Sequence, residues 1–247
     1  WMLADVPERL LSATLAGPGA PFGFGGTRDA AGTPTTPDFA GSGGGLINPV
    51  LVQSLLDGDR DTVSDFSPRG IMRRLVWSGG QIPEREDALI DAMFRVHIGE
   101  RELPGDKEDS PHWPYVRPGK WGATNAMSPK YIGNLVERIL AAEPKVPVLW
   151  IYGADDLAVS NTAASDPGTW GPTGRLPGYP GIEAYPPQPM MDQIRKMLDD
   201  YTGSGGTYAE VVIGDCGHVP FITHPDEFNR AFHAHLDRTT PQEGDNA

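Results

Sequence analysis

Two kinds of side chain late in the chain, a carboxylate and an imidazole, occupy positions suited to acid–base chemistry. An apolar run at residues 148–152 is typical of a strand buried on both faces of a parallel sheet, and Asp155 and Asp156 follow it. A second predicted strand, at residues 208–213, is followed by His218. Open α/β sheets hold their sites at the carboxyl ends of their strands, so we expect a carboxylate and the histidine to lie together there.

A histidine held by a carboxylate can take a proton from a nucleophile, because the carboxylate fixes the imidazole tautomer and stabilises its charged form. On this reasoning alone, either Asp155 or Asp156 could be the carboxylate. Cys216 lies two residues before His218, but a cysteine in such a turn is more typical of a small packed side chain than of a nucleophile. The nucleophile should therefore come from another part of the protein.

The two segments resemble the C-terminal half of an α/β-hydrolase. In that family the acid lies in a Gly-x-x-Asp turn after a late strand, matched by residues 153–156, and the base lies in a Gly-His-x-Pro turn before the last helix, matched by residues 217–220. The resemblance implies that Asp156 is the acid and His218 the base, with Asp155 a solvated or turn-capping neighbour. The order of acid before base also fits the family order of nucleophile, acid and histidine.

The resemblance further implies the fold class: an α/β protein containing the C-terminal part of a mostly parallel sheet, flanking helices and an inserted helical cap. It predicts three units along the chain: residues 1–45 with the end of a helix, a core strand and a lid loop, residues 46–127 as the cap, and residues 128–247 as the C-terminal core with a lid-like insertion at 160–189. Each unit is also visible in the residue pattern, since helical spacing dominates the cap and the insertion is rich in glycine and proline.

The nucleophile elbow of that family, Gly-x-Ser-x-Gly, is absent from the sequence. Ser42 comes nearest, but Ala40 stands where the motif needs glycine. Residues 1–9 resemble the end of the helix that follows the elbow, and residues 10–16 the strand after it. We therefore expect this chain to be the cap and C-terminal half of a longer hydrolase, bound to the N-terminal half as a second polypeptide.

Helix signals are clearest in the cap. Apolar residues at helical spacing occupy residues 49–56, and Ser67 followed by a proline is a typical helix start for the segment that runs to Trp77. The strongest amphipathic pattern covers residues 84–94. Outside the cap, further helices are expected at the following positions: residues 128–142, residues 190–201 and from Pro225 onward.

Four apolar side chains are candidates for contact with a substrate. Phe22 and Phe24 lie in the glycine-rich loop, which we interpret as the mobile hinge of a lid, and they could equally anchor that loop. Leu157 and Val219 directly follow the predicted acid and base. The insertion at residues 160–189 contains aromatic residues that favour a packed lid over a disordered segment.

Charge and composition argue against several partners. The net charge of −13 and a pI near 4.8, with no basic stripe, argue against nucleic acid as a partner. The sequence contains no apolar run of about 18 residues, so no membrane span is expected, and a cytoplasmic location is our working hypothesis. His233 and His235 are two apart on a predicted helix and point to different faces, so no metal or other cofactor is expected.

The leading hypothesis is a serine hydrolase that cleaves an ester, thioester or related acyl bond of a small apolar substrate. The same half-chain also fits an epoxide hydrolase or dehalogenase with an aspartate nucleophile, a carbon–carbon bond hydrolase, a haloperoxidase or a lyase. A ligand-binding member of the fold without turnover is the alternative from another class; the intact acid and base count against it.

Overall fold

The structure, a computed structural model, describes residues 1–77 and 81–239. The last part of the predicted C-terminal core, residues 240–247, lies outside the described residues. Within the described ranges, no helix is both long and apolar enough to cross a membrane. The same ranges contain no group of three or more His, Cys, Asp and Glu side chains arranged to hold a metal ion.

The chain contains eleven α-helices and seven short strands within the described residues. The helices are α1 Met2–Asp5, α2 Pro49–Asp57, α3 Pro68–Ile71, α4 Glu86–Met93, α5 Ala123–Ala126, α6 Pro129–Ile132, α7 Leu135–Ala141, α8 Pro167–Trp170, α9 Met190–Gly203, α10 Pro220–Thr223 and α11 Pro225–Thr239. The strands are β1 Ala13–Ala16, β2 Ile98–Gly99, β3 Leu103–Pro104, β4 Lys107–Asp109, β5 Val116–Pro118, β6 Pro147–Gly153 and β7 Thr207–Ile213. A π-helix, Met72–Val76, continues α3 directly.

Three of the strands form the sheet that organises the molecule. β1, β6 and β7 are parallel, with β6 in the centre. β6 and β7 are paired along their full length, so that Gly153 and Ile213 end side by side at the carboxyl edge. The protein is therefore a mixed α/β protein with a small parallel sheet. This agrees with the α/β class and the parallel sheet that the sequence predicts.

β6 sends alternate side chains into two separate core clusters. Val148 and Trp150 lie in the larger cluster, which contains buried residues of α7 and α9. Leu149 and Ile151 lie in the smaller cluster, against which Phe228 of α11 packs. Because strand side chains point alternately to opposite faces, this arrangement buries both faces of β6 and confirms the predicted buried strand.

Two helices of the predicted cap, residues 46–127, form where their start signals predict. The Asn48 side chain accepts a hydrogen bond from the Val50 N–H at 2.9 Å, and the Ser67 hydroxyl accepts one from the Gly70 N–H at 3.0 Å. A proline occupies the first turn of both helices, where its missing N–H leaves no helical hydrogen bond unmade. These caps place α2 and α3 within one or two residues of the predicted starts.

Three segments differ in detail from their predictions. The strand predicted at residues 10–16 is shortened to β1, because the 3-10 helix Pro7–Arg9 and an extended stretch precede it. The helix predicted at residues 128–142 is divided into α6 and α7 at Gly133, whose backbone leaves the helical region with φ 63°. The last part of the predicted helical cap, residues 103–127, contains the short strands β3, β4 and β5 as well as the helix α5.

The glycine-rich loop is built into the body of the protein, and in this the structure differs from the predicted mobile hinge. The Gln188 side chain accepts a hydrogen bond from the Gly25 N–H at 2.6 Å and donates one to the Gly23 carbonyl at 2.9 Å. The Tyr185 hydroxyl donates to the Ala40 carbonyl at 2.8 Å. Both side chains are almost fully buried, so the insertion at 160–189 holds the loop from within.

We expect Gln188→Leu to lower the free energy of unfolding by at least about 2 kcal/mol, because it leaves a buried N–H and a buried carbonyl unpaired and each costs about 1–3 kcal/mol. Urea denaturation of the variant and the wild type measures the difference. Gln53→Leu, at an exposed position on α2, is the control and should change it by less than about 0.5 kcal/mol. Equal effects of the two substitutions would contradict the anchoring role.

Candidate active site

The loop after β6 holds Asp156 in one orientation. Its Oδ1 accepts hydrogen bonds from the backbone N–H groups of Ala158 at 2.8 Å and Val159 at 2.9 Å. Its Oδ2 is left to face His218, and only 4% of the side chain is exposed. A carboxylate held at one oxygen by two amides has little freedom to rotate, so its other oxygen offers a fixed acceptor.

His218 lies in the turn between β7 and α10 and meets that acceptor. Its Nδ1 lies 2.8 Å from Oδ2 of Asp156. An ionised carboxylate only accepts, so this contact assigns the hydrogen to Nδ1 and leaves the lone pair on Nε2. The side chain is 27% exposed, and no residue in the described part of the chain hydrogen-bonds Nε2. The arrangement presents an oriented imidazole base to an incoming group.

The two turns are also joined through their backbones. The Ala154 N–H donates to the Ile213 carbonyl at 2.8 Å, and the Asp155 N–H donates to the Cys216 carbonyl at 2.9 Å. The structure thus uses Asp155 in this backbone link, with an exposed side chain, and brings Asp156 to the imidazole. The sequence left both carboxylates open, and the family resemblance favoured Asp156.

Cys216 is a packed side chain in this turn. It is fully buried in the smaller core cluster, and its Sγ lies 3.5 Å from both the Gly217 carbonyl and the Thr223 hydroxyl. Burial raises the pKa of its thiol, which keeps the sulfur protonated and unreactive near neutral pH. This is the packing role that its position in the sequence favours.

Two glycines allow the strand ends to approach the histidine turn. A Cβ on Gly153 would collide with the carbonyl oxygens of Cys216 and Gly217. Gly17, at the end of β1, has φ +52°, and a Cβ there would lie 2.5 Å from the His218 carbonyl oxygen. Both glycines stand directly after or at the end of predicted strands, which is a signal in the sequence that the strand ends and the turn come close.

A further contact comes from the cap. The His218 N–H donates a hydrogen bond to the Val76 carbonyl, at 3.0 Å, across a long sequence separation. Val76 ends the π-helix Met72–Val76, and nothing in its type or spacing marks it for this role. Sequence reasoning missed this contact because it depends on how the cap docks on the sheet.

The predicted substrate-binding residues fall into two groups. Phe22 and Phe24 pack against the larger core cluster, which is the anchoring alternative for these rings, and the structure does not bring them to the acid–base pair. Leu157 is exposed next to Asp156, and Val219 is partly buried at the start of α10. Only the second group adjoins the pair.

A cavity lies beside the helix that follows His218. It has a volume of about 460 Å³ and is bounded on one side by residues 81–85 of the cap. Ile222, Thr223 and Pro225 form the other side. Ile222 and Thr223 lie on α10, which begins two residues after His218, and neither His218 nor Asp156 lines the cavity. Its size and mixed lining are within the range of small-molecule pockets.

No protein-family model, no curated protein and no solved structure matches this chain. Membership of the α/β-hydrolases therefore stays a prediction from the two turns. The chemistry available to the site follows from its geometry: a fixed carboxylate and an oriented imidazole with a free lone pair. Such a pair can accept a proton from a hydroxyl and return it to a leaving group.

We expect Gly153→Ala to separate the two turns, because its methyl group would overlap two backbone carbonyls that are held in the sheet edge. The free energy of unfolding should fall by about 1–3 kcal/mol, the usual cost of overpacking, and the Nδ1–H proton resonance of His218 should move or broaden. Gly214→Ala in the neighbouring turn, where an added Cβ meets nothing within 4 Å, is the matched control. An unchanged resonance in a folded Gly153→Ala variant would contradict the close approach.

Proposed function

We propose that this protein is the acid–base half of a serine hydrolase that acts on an ester, thioester or related acyl bond. The observation that supports this most directly is the 2.8 Å contact between Nδ1 of His218 and Oδ2 of Asp156 at the carboxyl edge of a parallel sheet. A buried acid that fixes one imidazole nitrogen and leaves the other free is what a nucleophilic hydroxyl requires of its base.

In this mechanism Nε2 of His218 removes the proton of a serine hydroxyl as its oxygen attacks the carbonyl carbon. The imidazolium that forms is stabilised by the ionised Asp156. The proton then passes from Nε2 to the departing alcohol or thiol, which leaves an acyl-enzyme. His218 next removes a proton from water, which attacks the acyl group, and passes that proton to the serine oxygen as the carboxylic acid is released. Backbone N–H groups near the nucleophile would stabilise the oxyanion.

The serine would stand on a strand beside β1. Among the described residues β1 pairs with β6 alone, so no described strand covers its other edge. A parallel strand added there would end at the same sheet edge, about 5 Å from β1, next to Gly17 and the turn of His218. We therefore propose that the N-terminal half of the hydrolase supplies this strand and its nucleophile elbow.

The cavity beside α10 supports a small, largely apolar acyl substrate. Its apolar walls come from Ile82 and Pro83 on the cap side and Ile222 on the histidine side, with Arg85 and Glu84 adding polar groups. This pocket, between residues 81–85 and the helix that follows His218, would receive the apolar part of the substrate. Exposed Leu157 beside the acid would extend the apolar surface.

An aspartate at the elbow would convert the same pair to an epoxide hydrolase or dehalogenase, in which His218 activates water in the second step. The geometry of the acid and base is common to both. The two chemistries are separated by the reagent that traps the nucleophile, since fluorophosphonates react with an activated serine and not with a carboxylate.

We expect His218→Ala to lower turnover of a p-nitrophenyl ester about a thousandfold or more, because the base is lost, and Asp156→Asn to have an effect of similar size, because the amide cannot fix the same tautomer. Both variants are measured in the native assembly, with folding checked by circular dichroism. Asp155→Asn is the matched control and should retain nearly full turnover. A folded His218→Ala variant with near-normal turnover, or a larger loss at Asp155 than at Asp156, would contradict the assignment.

A further inference from the structure

The helical cap holds the histidine turn through the end of its π-helix. The N–H of Trp77 donates to the carbonyl of Met72 at 2.7 Å, five residues back. The last carbonyls of a helix have no partner inside it, and the carbonyl of Val76 is satisfied by the N–H of His218 at 3.0 Å. π-Helical turns are rare, and they occur frequently at functional sites, where they alter the direction of local backbone groups.

An ionic cluster centred on the buried carboxylate of Glu86 fixes this π-helix in place. Arg73 lies within it, and its Nε and Nη2 each bind one carboxylate oxygen of Glu86 at 2.7 Å. Arg69, one turn earlier, also binds Glu86 and reaches Asp87 at 2.5 Å. Two parallel hydrogen bonds join the guanidinium of Arg73 to the carboxylate of Glu86. This bidentate pair, called the fork below, restricts sliding and rotation of the two groups relative to each other.

Glu86 is suited to a fixed role in this cluster. Its side chain is only 8% exposed, at the first turn of α4, where negative charge is favourable. Hydrogen bonds from Arg73 and Arg69 outweigh the effect of burial and lower the pKa of the Glu86 carboxyl to about 2. The carboxylate therefore stays charged, and the fork stays intact, across the whole range in which a hydrolase would operate.

The far end of the π-helix is anchored as well. Trp77 is 1% exposed, directly after the carbonyl that binds His218. Arg73 and Val76 are three residues apart, which places them within one turn of the helix, so a displacement of Arg73 carries the Val76 carbonyl with it. The position of the histidine backbone is thus tied to the Arg73–Glu86 fork through a short and rigid path.

We propose that Arg73 and Glu86 are positioning residues for His218, which they hold in line with Asp156 by fixing the Val76 carbonyl. The expected effect on turnover rests on the catalytic role proposed for His218, whereas the expected effect on the position of the histidine turn does not. A shift of about 1 Å in a catalytic group can lower a rate about a hundredfold, so a small displacement of the turn would be measurable.

The test compares Glu86→Gln with Asp91→Asn. Both remove one carboxylate from α4, but Asp91 belongs to an exposed pair with Arg60, in which each side chain is about half exposed. The first measurement is the NMR resonance of the His218 Nδ1–H proton, assigned by its loss in His218→Ala. We expect Glu86→Gln to shift or broaden it and Asp91→Asn to leave it unchanged. No turnover is needed for this result.

The second measurement is ester hydrolysis, with kcat expressed per folded molecule. Glu86→Gln should lower kcat about tenfold to a hundredfold, because the base is misplaced. Loss of folding alone would leave the kcat of the folded molecules unchanged. If Glu86→Gln does not fold, Arg73→Lys, which keeps the charge and removes the fork, takes its place.

The outcomes separate this proposal from the proposed function. A wild-type His218 resonance in folded Glu86→Gln or Arg73→Lys overturns the positioning role, whatever the activity of the protein. A changed resonance together with wild-type protein that hydrolyses no ester supports the positioning role and contradicts the hydrolase. A changed resonance with lowered kcat supports both.

Discussion

The hydrogen bond between the Asp156 carboxylate and the His218 imidazole is the contact on which the proposed chemistry depends. It exists because β6 and β7 are parallel, adjacent and of equal length, so that the turns after them emerge at one edge. Two backbone amides hold the remaining oxygen of Asp156, and the bond in turn selects the tautomer of the histidine. If β6 and β7 were not paired, or if the two amides did not hold Asp156, nothing would keep the carboxylate and the imidazole within hydrogen-bond distance.

The turns after β6 and β7 can approach each other closely at this edge only because of the residues that surround them. Gly153 and Gly17 leave room for the carbonyls of the histidine turn, and Cys216 fills the space beneath it. The cap adds a constraint from the other side through the carbonyl of Val76. The site is therefore held by three separate parts of the chain: the sheet, the turn and the cap. This accounts for an imidazole that is partly exposed and yet has a fixed orientation.

The sequence was most informative where local pattern and tertiary position agree. The apolar run of β6 predicts a strand buried on both faces, and its neighbours in two core clusters explain why each of its residues is apolar. The turn residues Asp156 and His218 were accessible because they follow strands directly. The π-helix and the contact made by Val76 could not be predicted from the sequence. Both depend on how the cap packs against the sheet, and that packing produces no periodic pattern of residues.

The glycine-rich loop is a segment for which the local sequence pattern was misleading. Its composition is typical of a flexible segment, but its backbone groups are paired by Gln188 and Tyr185, which lie more than a hundred residues away. Such long-range polar contacts have no local signature, so a buried loop and a mobile one look alike in sequence.

The most direct test of the hydrolase hypothesis is to treat the native protein with a fluorophosphonate, identify the modified residue by mass spectrometry and solve the crystal structure of the product. We expect one modified serine, on a strand paired with β1, with its oxygen within about 3 Å of Nε2 of His218 and no modification in His218→Ala. A modified serine remote from His218, or equal labelling of His218→Ala, would contradict the proposed mechanism.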